Sequence, residues 1–291
     1  MHNPYFSILI PTWNNLEFLK LCIRSIRTHS VVPHEIIIHI NEGTDGTLDW
    51  VKDKGIKYTH TSENLGVCVA MNKMAELAES PYILYSNDDM YVLPGWDSSL
   101  KEEIESLNDD MFYISSTSIE AKPQSNCMIQ GDFGDSVDDF EEEKLMAEFK
   151  KSEFHDWSGS TWPPCVVSKR LWNKVGGYSE EFSPGMYSDP DFSMKLWQAG
   201  VRHFKGLGDS RVYHFGSKSV GRVKKNNGRK QFIKKWEIIP SVFLTHIINR
   251  GKKFDPTKPK SHIPFFLIVK SIVLSKFYRT METARQIILK P

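Results

Sequence analysis

The side chains best suited to chemistry in this 291-residue chain stand in short runs, each directly after an apolar segment. Pro11-Thr12-Trp13-Asn14 follows Phe6–Ile10, Asn41-Glu42-Gly43-Thr44-Asp45-Gly46 follows the run 35–40, and Asn87-Asp88-Asp89 follows Tyr82–Tyr85. Carboxylates in series offer hard oxygen ligands to a divalent cation, although an Asn-Asp-Asp run after a strand is also an ordinary turn. The glycine fingerprint GxGxxG is absent after the first apolar run and no GxxxxGK[ST] loop occurs, which disfavours nicotinamide, flavin and P-loop chemistry. The four cysteines, Cys22, Cys68, Cys127 and Cys165, form no CxxC pair, so neither a zinc knuckle nor a disulfide framework is expected.

The polar runs have to be held by the elements between them. Phe6–Ile10 reads as a strand, Leu16–Thr28 as a helix, the run 35–40 as a strand and Thr47–Lys54 as a helix. Tyr58-Thr59-His60 is a weaker strand, Val67–Ala78 a helix after the Asn64-Leu65-Gly66 turn, and Tyr82–Tyr85 another strand. Repeated βα units predict an α/β fold with a Rossmann-like, mostly parallel sheet flanked by helices on both faces. Ligands of such sheets bind at the carboxyl ends of the strands, where all three polar runs fall. Farther on, residues 120–155 are acidic and turn-rich, with an exposed amphipathic helix expected over Phe140–Lys151. Cys165-Val166-Val167 reads as a strand, Lys169–Val175 as a helix closed by Gly176-Gly177, and Asp191–Gln198 as a helix closed by Gly200. Phe232–Trp236 and the stretch from Ile263 onward read as further helices.

The bulk composition is that of an ordinary globular protein, 40% hydrophobic and 25% charged, which excludes disorder and collagen-like order. The amino terminus lacks the pattern of a signal peptide, so a cytoplasmic protein in a reducing compartment is expected. The most apolar stretch, Ile263–Leu274, is too short to span a bilayer and holds Lys270. A near-zero net charge hides an asymmetry: residues 1–215 hold 19 basic and 33 acidic side chains, whereas 216–291 hold 18 and 3. A basic tail is a solvated face, or it meets phosphates, anionic lipid or nucleic acid. With 1–215 acidic and no recognised binding motif, nucleic acid is disfavoured as a partner.

Taken in order, the motifs resemble those of the family 2 glycosyltransferases, which have the GT-A fold. Ser7–Asn14 resembles the family's opening strand, Asn41–Thr47 its second-strand acidic turn, and Glu63–Gly66 with Ala70-Met71-Asn72 its third turn and helix. Asn87-Asp88-Asp89 followed by Leu93-Pro94-Gly95-Trp96 is similar to the metal motif, and Gly176–Phe182 with Tyr187–Asp191 to the motif carrying the base. The resemblance implies a GT-A domain over 1–220, with a nucleotide-sugar half over about 1–96, an acceptor half over about 97–220, and a basic helical extension over 221–291. It also implies an inverting transfer of a sugar from a nucleotide-diphosphate donor, UDP foremost, to a hydroxyl of a glycan or lipid-linked acceptor, as in polysaccharide biosynthesis.

Residue by residue, the resemblance implies backbone contacts from Pro11 and Thr12 to the nucleoside, with Asn14, Glu42, Asn72, Asn87 and Asp88 in the same pocket. Asp89 is then the direct ligand of Mn²⁺ or Mg²⁺, with His214 brought to the metal or diphosphate; the family's Asp-x-Asp starts here with Asn87. A diphosphate gains negative charge as the glycosidic bond breaks, and a cation on carboxylate oxygens offsets it. Asp189 aligns with the base that deprotonates the acceptor hydroxyl, with Asp191 as alternative base or orienting partner; helix capping by Asp189 is the plain alternative. Lys218, Arg222, Lys224 and Lys225 fit a cationic lid over the diphosphate or a solvated face. Trp157 and Trp162 are candidates for stacking on an acceptor sugar, or core tryptophans. The tail with Phe265–Val269 either docks on an anionic membrane or packs as a C-terminal helix. The competing functional reading is a catalytically lapsed nucleotide-sugar or carbohydrate-binding module.

Overall fold

The computed structural model describes residues 3–216, 222, 225–257 and 263–288, with side chains as far as 283. Its centre is a ten-stranded sheet. The strands are β1 (Phe6–Trp13), β2 (His34–Asn41), β3 (Lys57–Thr61), β4 (Tyr82–Tyr85), β5 (Met90–Val92), β6 (Phe112–Glu120), β7 (Met128–Gln130), β8 (Trp157–Ser158), β9 (Cys165–Ser168) and β10 (His203–His214). The main path runs β3-β2-β1-β4-β9-β6-β10-β5, with β7 beside β6 and β8 beside β10.

The first half is parallel, as the βα repeats require: β1 pairs with β2 and β4, and β2 with β3, all in parallel. The second half is mixed. β9 runs against both β4 and β6, and β5 and β8 run against β10, while β6 and β10 are parallel. Parallel pairing is therefore uniform in the half built from βα units and interrupted in the other, where β5, β8 and β9 run against their neighbours.

The helices needed below are α1 (Leu16–His29), α2 (Thr47–Asp53), α3 (Gly66–Leu77), α4 (Trp96–Ser106), α5 (Glu142–Glu148), α6 (Lys169–Val175), α7 (Ser188–Gln198) and α8 (Gly228–Trp236), followed by a C-terminal helix over Phe265–Ile288. Alternation along β1 and β2 divides the core. Ile8, Ile10, Ile38 and Ile40 face one layer with Leu19, Ile23, Val51, Trp96 and Leu100 of α1, α2 and α4. Leu9 and Ile37 face the other with Met71 and Met74 of α3, Leu171 of α6 and Phe192 of α7. Burying alternate β-branched side chains on both faces is what fixes the register here.

That second layer also takes Phe232, Phe243, Leu244 and Ile248. Residues 228–248 thus share the core of the preceding chain, which a boundary at 220 did not anticipate. The acidic helix is shorter than expected, Glu142–Glu148, and α7 begins at Ser188, three residues before the expected start. Pro190 is tolerated there because the N–H groups of a first helical turn have no intrahelical partner. No helix of the described residues is long and apolar enough to cross a membrane. All four cysteines are buried and free.

Candidate active site

β1 has β2 on one side and β4 on the other, so the chain reverses its direction of travel across the sheet at the β1/β4 boundary. At such a switch point the loops leaving the two strands part and leave a crevice. Here a cavity of about 540 Å³ opens at that place, lined by Pro11 and Thr12 from the end of β1 and by Asn87, Asp88 and Asp89 from the end of β4. Asp189, His214 and Trp162 line the same cavity, so eight of the residues singled out in the sequence converge on it.

Thr12 donates a 2.6 Å hydrogen bond through its hydroxyl to Oδ2 of Asp88, tying the two strand ends together. Burial and then the neighbouring charge of Asp89 push Asp88 above the usual carboxylate range, against that hydrogen bond. Asp89 meets His214 because β5 and β10 pair with His214 opposite Met90, and the Phe215 N–H donates to the Asp89 carbonyl at 3.1 Å. His214 Nε2 lies 3.4 Å from Asp89 Oδ1, and its Nδ1 lies 2.8 Å from Oε1 of Glu120. Burial disfavours the charged imidazole, but the flanking Asp89 and Glu120 outweigh it and push His214 up to about 10. Glu120 also lines the cavity and was not singled out in the sequence.

Asp189, in the first turn of α7, lines the same cavity and is otherwise enclosed. Burial raises it from 3.8 to about 7, opposed by a hydrogen bond that the Tyr178 hydroxyl donates to its Oδ1 at 3.3 Å. Tyr178 is itself held rigidly, stacked parallel on Phe192 with centroids 4.7 Å apart. Gly66 lets the loop before α7 come close. Its φ is +82°, and a Cβ there would stand 2.4 Å from the Cα of Pro184, whose carbonyl accepts from the Val67 N–H at 2.9 Å.

Five expected site residues lie elsewhere. Asn14 spends its side chain on the β2 turn, where its Oδ1 accepts from the N–H groups of Gly43 and Thr44 and its amide donates to Glu42 at 3.1 Å. Glu42 is engaged by that contact, and Asn41 instead presents the end of β2 to the cavity. Asn41 is fixed by accepting from the Leu65 N–H at 3.0 Å and donating to the Thr12 carbonyl. Asn72 bonds both to the N–H and to the carbonyl of Tyr178, so it braces the residue that touches Asp189 and leaves the nucleotide pocket. Asp191 is fully buried behind α7, accepting from the Trp236 indole at 2.8 Å and paired with Lys235 at 3.0 Å, where no acceptor hydroxyl reaches it. Trp157 is a core residue, its indole donating to Thr117 at 2.9 Å.

Of the four lid cations, Lys218 and Lys224 lie outside the described residues. Arg222 rests on the rim, its guanidinium 4.6 Å from the Trp13 ring centroid and donating to the Trp13 carbonyl at 2.7 Å, while Lys225 is exposed. Among the described residues no three His, Cys, Asp or Glu side chains form a self-sufficient metal cage. The Asp89 carboxylate and the His214 imidazole, which has to release a proton to bind through its ring nitrogen, nevertheless suit a cation that takes its remaining ligands from a bound phosphate and water.

Comparison with known proteins sets this geometry in a family. Residues 7–158 match the model described as Glycosyl transferase family 2. The hyaluronan synthase of Pasteurella multocida is 23% identical over 233 residues, which are 77% of this chain and 22% of the synthase, so the chain spans less than a quarter of that relative. A PGL/p-HBAD biosynthesis glycosyltransferase of Mycobacterium bovis is 32% identical over 98 residues, 31% of this chain and 38% of that protein. Among solved structures, S. aureus TarS 1–349 in complex with UDP-GlcNAc matches with a TM-score of 0.58 at 15% identity, covering 84% of this chain and 68% of that one. That likeness gives the fold as GT-A.

Proposed function

The chain belongs to glycosyl transferase family 2, and from that premise we propose that it is an inverting, metal-assisted transferase moving a sugar from a UDP-sugar to a hydroxyl of a glycan or lipid-linked acceptor. The observation that carries the reading is the placing of Asp89 with His214 on one wall of a single cavity and Asp189 on another. The tips of β1 and β2, with Thr12 and Asn41, receive the nucleoside. UDP is supported by the matching TarS structures, which hold UDP and UDP-GlcNAc. Asp89 and His214 would hold Mn²⁺ or Mg²⁺, which when bound offsets the charge growing on the departing diphosphate.

Asp189 does the proton chemistry. With its carboxyl near neutrality, its anion is available at physiological pH yet basic enough to take the acceptor's proton. The acceptor oxygen forms its bond to the anomeric carbon as the bond to the diphosphate breaks, the proton passes to Asp189, and UDP leaves with the electron pair. A single displacement inverts that carbon. Nucleotide release from a panel of nucleotide sugars with Mn²⁺, Mg²⁺ or EDTA tests the reading: one UDP-sugar is cleaved only with metal, and Asp89→Ala and Asp189→Ala each abolish cleavage. Nucleotide binding without turnover, with or without acceptors, would instead identify a lapsed binding module.

The C-terminal helix supports a membrane-borne acceptor. One side, with Leu267, Leu274 and Tyr278, packs on Ile233, Ile239 and Val242. The other leaves Phe265, Val269, Ile272, Val273 and Phe277 exposed, at spacings of three and four that keep them on one face. Exposed Lys270 and Lys276 accompany it on a tail rich in positive charge. A stripe of this kind fits the interface of an anionic bilayer. In flotation, the chain should rise with anionic vesicles and much less with neutral ones, and Phe265→Ser/Phe277→Ser should stay behind. Self-association without vesicle binding would assign the stripe to a second copy.

A further inference from the structure

The cavity has a cation that the reading above leaves without a task. Arg250 lies in the strap that follows the helical segment 240–247, and its guanidinium stands 4.6 Å from the ring centroid of Trp162, with both side chains lining the cavity. The strap is fixed from several sides. The Arg250 N–H donates to the Leu244 carbonyl at 2.8 Å, the Gly251 N–H to the Ser158 carbonyl at 3.0 Å, and the Ser158 N–H to the Lys252 carbonyl at 2.8 Å. Gly159 has no room for a side chain, since a Cβ there would lie 2.5 Å from the Arg250 Cα. The backbone of this arginine is therefore set in place before any ligand arrives.

Among the described residues the guanidinium has no anionic partner. Every Asp and Glu of the chain lies within the described residues, none forms an ion pair with Arg250, and its side chain makes no hydrogen bond to a described residue. Five N–H donors over a tryptophan face, facing a cavity, match the planar recognition of a carboxylate or phosphate. Burial already works against its charge, which an incoming anion would restore. The strands beside it separate it from the nucleoside. Trp162 precedes β9, and Gln124 and Ser125 beside it follow β6, on the far side of β4 from the β1 and β2 tips.

We propose that Arg250, stacked on Trp162, is the anion subsite of the acceptor, so that the sugar is placed on a hydroxyl whose carrier bears a phosphate or a carboxylate nearby. The inference rests on the transferase reading of the cavity, and the experiment separates the two. With the UDP-sugar found by nucleotide release, transfer is compared for glucose, glucose 6-phosphate and glucuronate, which differ only at C6. The wild-type chain should prefer an anionic acceptor, and Arg250→Met should reduce the anionic-over-neutral ratio of kcat/KM about tenfold or more, as expected for a lost charge-assisted pair, with Arg250→Lys recovering part of it. Whichever of phosphate and carboxylate loses more in Arg250→Met is the group recognised.

A measurement on the unaltered protein guards against a misfolded variant. Inorganic phosphate, against sodium chloride of equal ionic strength, should inhibit transfer competitively with the acceptor. Competition with the donor alone, or a ratio that Arg250→Met does not move, overturns the proposal, the former assigning Arg250 to the donor diphosphate. If no donor is cleaved at all but inorganic phosphate binds and Arg250→Met abolishes that binding, the transferase reading fails and the anion subsite stands.

Discussion

Tyr178→Phe probes the proposed base without touching the carboxylate itself. The substitution keeps the ring that stacks on Phe192 and the backbone that Asn72 holds, and removes only the hydroxyl that donates to Asp189. At 3.3 Å that bond is long, so its effect belongs at the lower end for a hydrogen bond to a charged group, about 1.5 kcal/mol. Losing it favours the protonated carboxyl by that amount, which is about one pKa unit. The wild-type limb of rate against pH should therefore rise through about 7, and that of the variant through about 8. At pH 7 the ionised fraction falls from about a half to about a tenth, a loss of about fivefold in rate, while the plateau above pH 9 is nearly shared. The assay is initial-rate UDP release over pH 5.5–9.5, with metal saturating at each point. A midpoint that stays put or moves to lower pH refutes the assignment, as does a plateau depressed a hundredfold at an unchanged midpoint.

The same raised carboxyl has a consequence for stability. Between its ordinary value of 3.8 and about 7 the folded chain keeps a proton that the unfolded chain has released, so stability falls as pH rises through that window. Asp189→Asn should therefore be more stable than wild type in urea at pH 8, by about 1–2 kcal/mol once the carboxyl's opening to cavity water is allowed for, and the gap should vanish near pH 3.5. Gly66→Ala should lower stability by about 2 kcal/mol or more, because the residue is held at φ +82° and its new methyl meets the backbone of Pro184. Chemical denaturation measures it, and a neutral result would mean that the loop before α7 is not held as described.

The parts of the site that could be read from the sequence are those carried by local pattern. Each βα unit announces itself by an apolar run and a helical spacing, and the polar residues at its end fall at the carboxyl edge of the sheet, which is why Thr12, Asn87 and Asp89 line the cavity together. β6 shows why the rest was hidden. Its sequence, FYISSTSIE, is buried throughout yet half hydroxylic, so no hydrophobic period marks it. Several of its polar groups are satisfied across the fold: Ser116 by Ser210, Thr117 by the Leu207 carbonyl and Trp157. Glu120, at the end of that strand, reaches His214 across 94 positions of sequence, and no local signal could have paired them. Asn14 and Glu42 erred in the opposite sense. They stand beside the strand ends, but both adopt positive φ, 45° and 61°, in turns whose geometry directs their side chains to each other.

The segment beyond 220 completes the site, since three of its contacts bear on residues that act in the cavity. Asp191 and Asp189 share the first turn of α7, so the bonds from Trp236 and Lys235 to Asp191 fix the helix that presents Asp189. Gly228 opens α8 against the loop before α7, and a Cβ there would fall within 1.9 Å of the Met186 carbonyl oxygen. Asn226 donates to the carbonyls of Phe182 and Ser183 in the same stretch, at 2.7 and 2.9 Å. These contacts make the position of the base depend on chain whose described residues contribute no strand to the sheet. Breaking Asp191 at the α7–α8 junction leaves Lys235 and the Trp236 indole without that partner inside the fold, a loss of packing as well as charge. Activity should then fall through displacement of Asp189, with its pH midpoint moved because its burial has changed. A residue acting directly as base would instead remove the limb altogether, and that difference in the profile is what tells Asp191 from Asp189.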